Sequence, residues 1–80
     1  NVFPNPTTGR SFINFESTSS SLGYLYITDL YGQPIQAQEL DISSGMNTFE
    51  FDLSNDLTTS IYIVTLKIGS KLSHQRIIKN

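Results

Sequence analysis

The sequence predicts an all-β fold, an immunoglobulin-like or fibronectin-like antiparallel β-sandwich of about seven strands. Apolar and polar residues alternate with the two-residue period of a β-strand in several segments. Turn-forming residues separate these segments at intervals of roughly ten residues, which is the spacing typical of sandwiches. With 80 residues the chain fills one domain, because a chain of this length buries a single thin, two-layer core.

The alternation is clearest in residues 22–30, 46–53 and 61–68, which are rich in aromatic and β-branched side chains. In the last of these segments both faces are almost entirely apolar, which favours a central strand over an edge strand. The side chains that we expect in the core are Phe49, Phe51, Leu53, Val64 and Leu66.

Clusters of proline, glycine, serine and asparagine between the apolar segments indicate chain reversals. They occur at residues 4–9, 31–32, 43–45 and 69–70. Strands are therefore predicted at residues 2–4, 11–16, 22–30, 33–42, 46–53, 61–68 and 71–79, and no helix is predicted. The serine-rich residues 17–21 are predicted to form a polar loop.

The composition argues against several classes of protein. The net charge is −2, whereas nucleic-acid-binding surfaces carry a strong basic excess, so no nucleic acid is expected as a partner. There is no cysteine to form a disulfide or a thiolate metal site. No run of about 18 apolar residues occurs, so direct membrane insertion is not expected. The first residues contain no leader, so an exported form would take its entry signal from a larger precursor.

The charged residues are distributed unevenly. Residues 1–56 contain seven acids and one base, Arg10, for a net charge of −6, and residues 57–80 contain four bases and no acid, for +4. In one interpretation, acidic and basic strands lie side by side in a sheet and neutralise each other. In the other, the basic residues form an edge that a receptor binds.

No group of residues indicates catalysis. Nucleophilic hydrolysis requires a nucleophile, a base and an orienting group, and the single histidine, His74, lies in an alternating strand segment. Residues 52–56 carry oxygen atoms at alternate positions as a calcium loop does, but they lack its glycine and final glutamate, so an ordinary turn is favoured. We expect no catalytic residue, no metal and no cofactor, and hence no enzyme.

Four short motifs stand in order along the chain. They are Phe3-Pro4-Asn5-Pro6 with Gly9, Asp29-Leu30-Tyr31-Gly32, Leu57 before Ile61-Tyr62-Ile63-Val64, and Arg76-Ile77-Ile78-Lys79-Asn80. Each also has a purely structural interpretation. The prolines stiffen the entry to a strand, Asp29 accepts hydrogen bonds from the amides of its own turn, and Tyr62 is a core aromatic with its hydroxyl at the rim.

Together the motifs resemble the C-terminal sorting domain, type A, of proteins exported by the bacterial type IX (Por) secretion system. The resemblance covers nearly the whole chain. Ser60 departs from it, because members commonly have glycine there, and so does Gln33, where lysine often follows the turn glycine. The residues to which the resemblance assigns recognition are Pro4, Asn5, Pro6, Gly9, Asp29, Gly32, Tyr62, Arg76 and Lys79.

This resemblance implies that the domain is a removable export signal. Residues 1–80 would be one sorting domain, excised from a larger secreted precursor and bound by the type IX translocon and outer-membrane shuttle proteins. It would pass through the periplasm of a Gram-negative bacterium to the cell surface or the medium, and a surface sortase would remove it while attaching the cargo. We expect residues 71–80 to contact the translocation machinery, with Arg76 and Lys79 as surface charges. The alternative is that this segment is simply a closing strand with Ile77 or Ile78 buried.

The alternative function is an adhesive or carbohydrate-binding β-sandwich attached to an extracellular enzyme. The four tyrosines offer possible stacking faces for sugars. Such a platform requires aromatic rings that are coplanar on an exposed face, and Tyr24 and Tyr26 could also simply cover one sheet.

Overall fold

The computed structural model describes residues 1–53, 58 and 60–80, and its fold is all-β. Seven strands occur in the described residues, at the positions that the alternation predicts. They are β1 (Val2–Phe3), β2 (Arg10–Ser17), β3 (Ser21–Thr28), β4 (Pro34–Ile42), β5 (Gly45–Asp52), β6 (Ser60–Ile68) and β7 (Lys71–Lys79). β3 ends earlier than predicted because Asp29 begins the turn that leads to β4.

The strands form two antiparallel sheets. Sheet A has the order β1-β2-β5, and sheet B has the order β4-β3-β6-β7. In sheet B, Leu25 of β3 lies opposite Gln38 of β4 on one side and Leu66 of β6 on the other. β6 is therefore an internal strand, as its nearly continuous apolar pattern predicts, and β4 and β7 are the edges.

The core lies between the two sheets, because the pleat directs every second side chain of each strand to the same face. The buried apolar residues are Val2, Ile13, Leu25, Ile27, Leu40, Ile42, Phe51, Leu53, Tyr62, Val64, Leu66 and Ile77. This set includes Phe51, Leu53, Val64 and Leu66, as predicted. Phe49 is partly buried and packs against the core, with its ring centroid 6.0 Å from that of Phe15.

The acidic and basic strands do not lie side by side, so the first interpretation of the charge distribution is wrong. Glu39 and Asp41 are on β4, and β3, which carries no charged residue, separates them from the basic strands β6 and β7. In sheet A, Arg10 Nη2 lies 3.0 Å from Glu50 Oε1, and this hydrogen bond raises the pKa of the exposed Arg10 guanidinium. The basic residues of β7 are thus at an edge of sheet B.

Two features predicted from the sequence lie mostly or wholly outside the described residues. Most of the calcium-like pattern at residues 52–56, and Leu57 of the third motif, lie outside them. In residues 1–53, 58 and 60–80, no helix has the length and apolar character needed to cross a bilayer.

Candidate recognition site

Asn5 connects the first motif to the last strand. Its Nδ2 donates to the Arg76 carbonyl oxygen at 3.1 Å, and its Oδ1 accepts from the Ile78 backbone nitrogen at 2.9 Å. A primary amide carries both a donor and an acceptor, so this side chain makes the two hydrogen bonds that the backbone of a residue in a neighbouring strand would make. Pro4 and Pro6, on either side of it, both follow cis peptide bonds.

Thr7 continues this contact along β7. Its backbone nitrogen donates to the Ile78 carbonyl at 2.8 Å, and its carbonyl accepts from the Asn80 nitrogen at 2.8 Å. Thr7 and Lys79 are consequently paired as in a parallel ladder. We call the contact of residues 5–7 with residues 76–80 the terminal clamp.

The Thr7 hydroxyl fixes the clamp to sheet A. Thr7 Oγ1 donates to the Arg10 carbonyl at 3.2 Å and accepts from Gly9 N at 3.0 Å and from Ser11 Oγ at 2.8 Å. Gly9 also accepts a backbone hydrogen bond from Leu53 N at 2.9 Å. Thr7 and Ser11 are buried, so these bonds are shielded from competing water and hold the loop in one position.

The second motif forms the turn that its sequence predicts. Asp29 Oδ1 accepts from Tyr31 N at 2.8 Å and from Gln33 N at 2.9 Å, and the Asp29 carbonyl accepts from Gly32 N at 3.1 Å. Gly32 has a φ of +81°, in the left-handed region where a side chain is strained. The Tyr31 side chain is almost fully exposed at the tip of this turn.

Tyr62 lies beneath that turn in β6. Its ring is buried, and its hydroxyl donates to the Thr58 carbonyl at 2.9 Å, so it is the core aromatic with a hydrogen-bonded rim that the sequence predicts. A shallow pocket of about 350 Å³ lies between Tyr62, Thr58 and the Asp29 turn. The second and third motifs therefore share one surface.

The antiparallel topology places the motifs at one end of the sandwich. β3 ends there, β6 begins opposite it, and β7 returns to the same end, where Ser60 pairs with Lys79. The terminal clamp adds the first motif. We call this end the motif pole, and it comprises residues 4–9, 29–33, 60–62 and 76–80.

The two predicted surface charges of the last motif differ in exposure. Arg76 is exposed on the outer face of sheet B, opposite Ile63. Lys79 is only 7% exposed, and its Nζ lies 3.5 Å from the Asn80 carbonyl. The expectation that both are surface charges is therefore wrong for Lys79, because the clamp covers it and because it shares the inward direction of Ile77.

The site offers hydrogen bonds and charge rather than reactive groups. Among the described residues, no three His, Cys, Asp or Glu side chains are close enough to hold a metal ion. His74 is exposed on β7, and its Nδ1 lies 2.8 Å from Thr65 Oγ1 of the neighbouring strand.

The clamp is the feature that the sequence did not reveal. Prolines on both sides of Asn5 indicated a stiff loop, but not that its amide would bond to a strand 71 residues further on. One signal was available, because Pro4 and Pro6 have no backbone N–H to donate, whereas the side chain of the asparagine between them carries both a donor and an acceptor.

Comparison with known proteins identifies the family. Residues 1–80 match the family described as the secretion system C-terminal sorting domain. A search of curated proteins found no significant match. Because the family match spans the whole sequence, this chain belongs to the C-terminal sorting domains of the type IX (Por) secretion system.

Proposed function

We propose that the type IX translocon and its outer-membrane shuttle proteins recognise this domain through its motif pole and β7. Membership of the sorting-domain family over residues 1–80 is the observation that carries the proposal. The terminal clamp supports the location, because it joins the first and last motifs into one surface. A partner that contacts both motifs would need the domain to be folded.

The finer features of the proposal follow from the resemblance. The domain is of type A, has an immunoglobulin-like arrangement, and is a single unit of a larger precursor that crosses the periplasm of a Gram-negative bacterium. A surface sortase removes it while the cargo is attached to the cell surface. The domain itself is a substrate and catalyses no reaction. The two antiparallel sheets are compatible with this role.

Secretion of a reporter tests the proposal. A reporter behind a signal peptide is fused to residues 1–80 and expressed in a host that has the type IX system. We expect the reporter to appear outside the outer membrane, and to remain in the periplasm when the domain is deleted. Equal secretion with and without the domain would contradict the sorting function.

Arg76→Gln tests the contribution of the exposed charge at the motif pole. Its side chain is exposed, so stability should change by less than about 0.5 kcal/mol while secretion falls. Arg10→Gln is the matched control, because Arg10 is also exposed and basic but its side chain lies on sheet A, where it pairs with Glu50 in an exposed ion pair of small energetic value. Undiminished secretion of Arg76→Gln would assign recognition to other parts of the pole, such as the Asp29 turn.

Carbohydrate binding is the second candidate, and one pair of residues favours it. Tyr24 and Tyr26 lie on the outer face of sheet B, with ring centroids 6.1 Å apart and 18° between the ring planes. Near-parallel rings on a surface can stack against sugars. Glycan-array binding that Tyr24→Ala abolishes, together with secretion that does not depend on the domain, would favour this function over sorting.

A further inference from the structure

β7 is an edge strand whose outward backbone is only partly covered. The terminal clamp bonds to the Arg76 carbonyl, to both backbone groups of Ile78 and to the Asn80 nitrogen. Backbone groups alternate in direction along an antiparallel strand, so those of Leu72 and His74 also point outward. In the described part of the chain, nothing bonds to these groups or to the Arg76 nitrogen. We call Leu72–Arg76 the open edge.

A groove lies beside the open edge on the inner face of sheet B. β1 pairs with Phe12 and Ile13, and among the described residues no strand pairs with the later part of β2 on that side. The resulting groove has a volume of about 770 Å³ between β2 with its serine-rich loop and the strands β6 and β7. Its apolar lining includes Phe15, Leu66 and Ile68.

The other face of the open edge is basic. Arg76 lies at one end of it, and Lys67 lies opposite Leu72 on β6. Both side chains are exposed, and residues 57–80 contain no acid. The edge therefore offers unpaired backbone groups, a groove on one face to which β2 and β6 contribute apolar side chains, and positive charge on the other face. The charged residues that line the groove are one acid, Glu16, and one base, Lys71, so their charges offset each other. The excess positive charge therefore lies on the outer face.

We propose that an extended segment of a secretion-system partner adds to sheet B as a further strand along the open edge. Its backbone bonds to the outward groups of Leu72 and His74 and to the Arg76 nitrogen. Alternate apolar side chains enter the groove, and the side chains between them, which face Lys67 and Arg76, are acidic. In strand addition of this kind, main-chain bonds provide affinity and alternate side chains provide specificity. The inference rests on the proposed function, since it names the kind of segment that the sorting domain binds.

His74→Pro is the test variant. Proline removes the outward N–H of residue 74 and leaves the bonds between β6 and β7 in place, because that amide points away from β6. His74→Ala is the matched control, since it keeps the amide and loses the same contact with Thr65. Both changes are made in the reporter fusion, and thermal unfolding of each domain establishes that it is folded.

We expect the wild-type and His74→Ala reporters to be secreted. Secretion of His74→Pro should fall about tenfold or more, because the partner loses a main-chain hydrogen bond and meets the proline ring. Wild-type secretion by a folded His74→Pro domain would overturn strand addition and leave the sorting function intact. Failure of the wild-type fusion to be secreted would instead overturn the sorting function.

A second variant and a second measurement complete the test. Ser73 is exposed and lines the groove, so Ser73→Glu places a negative charge there without removing any backbone group. This variant serves as the test if the His74→Pro domain does not fold. Periplasmic retention of Ser73→Glu supports the inference, and normal secretion overturns it.

Sedimentation of the wild-type domain should show a monomer. A dimer that His74→Pro abolishes would mean that the open edge binds a second copy, and would overturn the partner assignment.

Discussion

At the scale of single residues, Asn5 shows how one side chain can substitute for a strand. Its amide makes the two hydrogen bonds, to Arg76 and Ile78, that a backbone residue would make in a ladder. The prolines on either side cannot donate backbone bonds of their own. From Pro4 to Pro6, pairing of the loop with β7 therefore depends on the Asn5 side chain. At Thr7 the backbone itself bonds to β7.

Asn5→Ala should release this end of the clamp. The loss of two exposed hydrogen bonds is expected to lower the free energy of unfolding by about 1 kcal/mol. Hydrogen exchange of the Ile78 amide should become faster, because its acceptor is removed. Asn14→Ala is the control, since that side chain lies on the outer face of sheet A. Unchanged exchange at Ile78 in the Asn5 variant would contradict the role assigned to the amide.

At the scale of elements, strand positions could be predicted because side-chain alternation is a local property of the sequence. The order β4-β3-β6-β7 could not, because it depends on contacts between distant segments, such as that of Leu25 with Leu66. The burial of Lys79 could be predicted only in part. Lys79 shares the face of Ile77, but the sequence left open whether Ile77 or Ile78 is buried, and the charge and terminal position of Lys79 indicated exposure.

A comparison of Phe51→Ala with Phe49→Ala tests the burial pattern of β5. Phe51 is 3% exposed, and its truncation should cost about 3–5 kcal/mol, because the lost contacts leave a cavity in the core. Phe49 is on the same face but only partly buried, so its truncation should cost clearly less. Chemical denaturation of both variants measures the difference. Equal losses would mean that the Phe49 side chain is packed as tightly as that of Phe51.

At the scale of the whole molecule, the two ends of the chain are part of one folded unit. Ile77 is completely buried opposite Tyr62, and Thr7 bonds to residues on both sides of Lys79. The last motif is consequently a strand of the sandwich and not a free tail. The proposed recognition at the motif pole and the stability of the domain should therefore depend on some of the same residues, and the proposed partner contacts would be made by Arg76 and the open edge.

Deletion of residues 77–80 should unfold the entire domain. It removes the buried Ile77 side chain, exposes the Tyr62 ring and eliminates both backbone bonds of Thr7. Loss of one buried aliphatic side chain costs about 2–5 kcal/mol, which is comparable with the whole stability of so small a domain. Circular dichroism should show the loss of β structure and of cooperative melting.

Deletion of Asn80 alone is the matched control for this truncation. It removes one hydrogen bond to the Thr7 carbonyl and keeps Ile77 and Lys79 in place, so we expect a loss of about 1 kcal/mol with cooperative unfolding retained. If the longer deletion also melted cooperatively at the wild-type midpoint, residues 77–80 would be a separable tail. The terminal clamp would then have no role in fixing the motif pole, and recognition of the last motif would not require the folded sandwich.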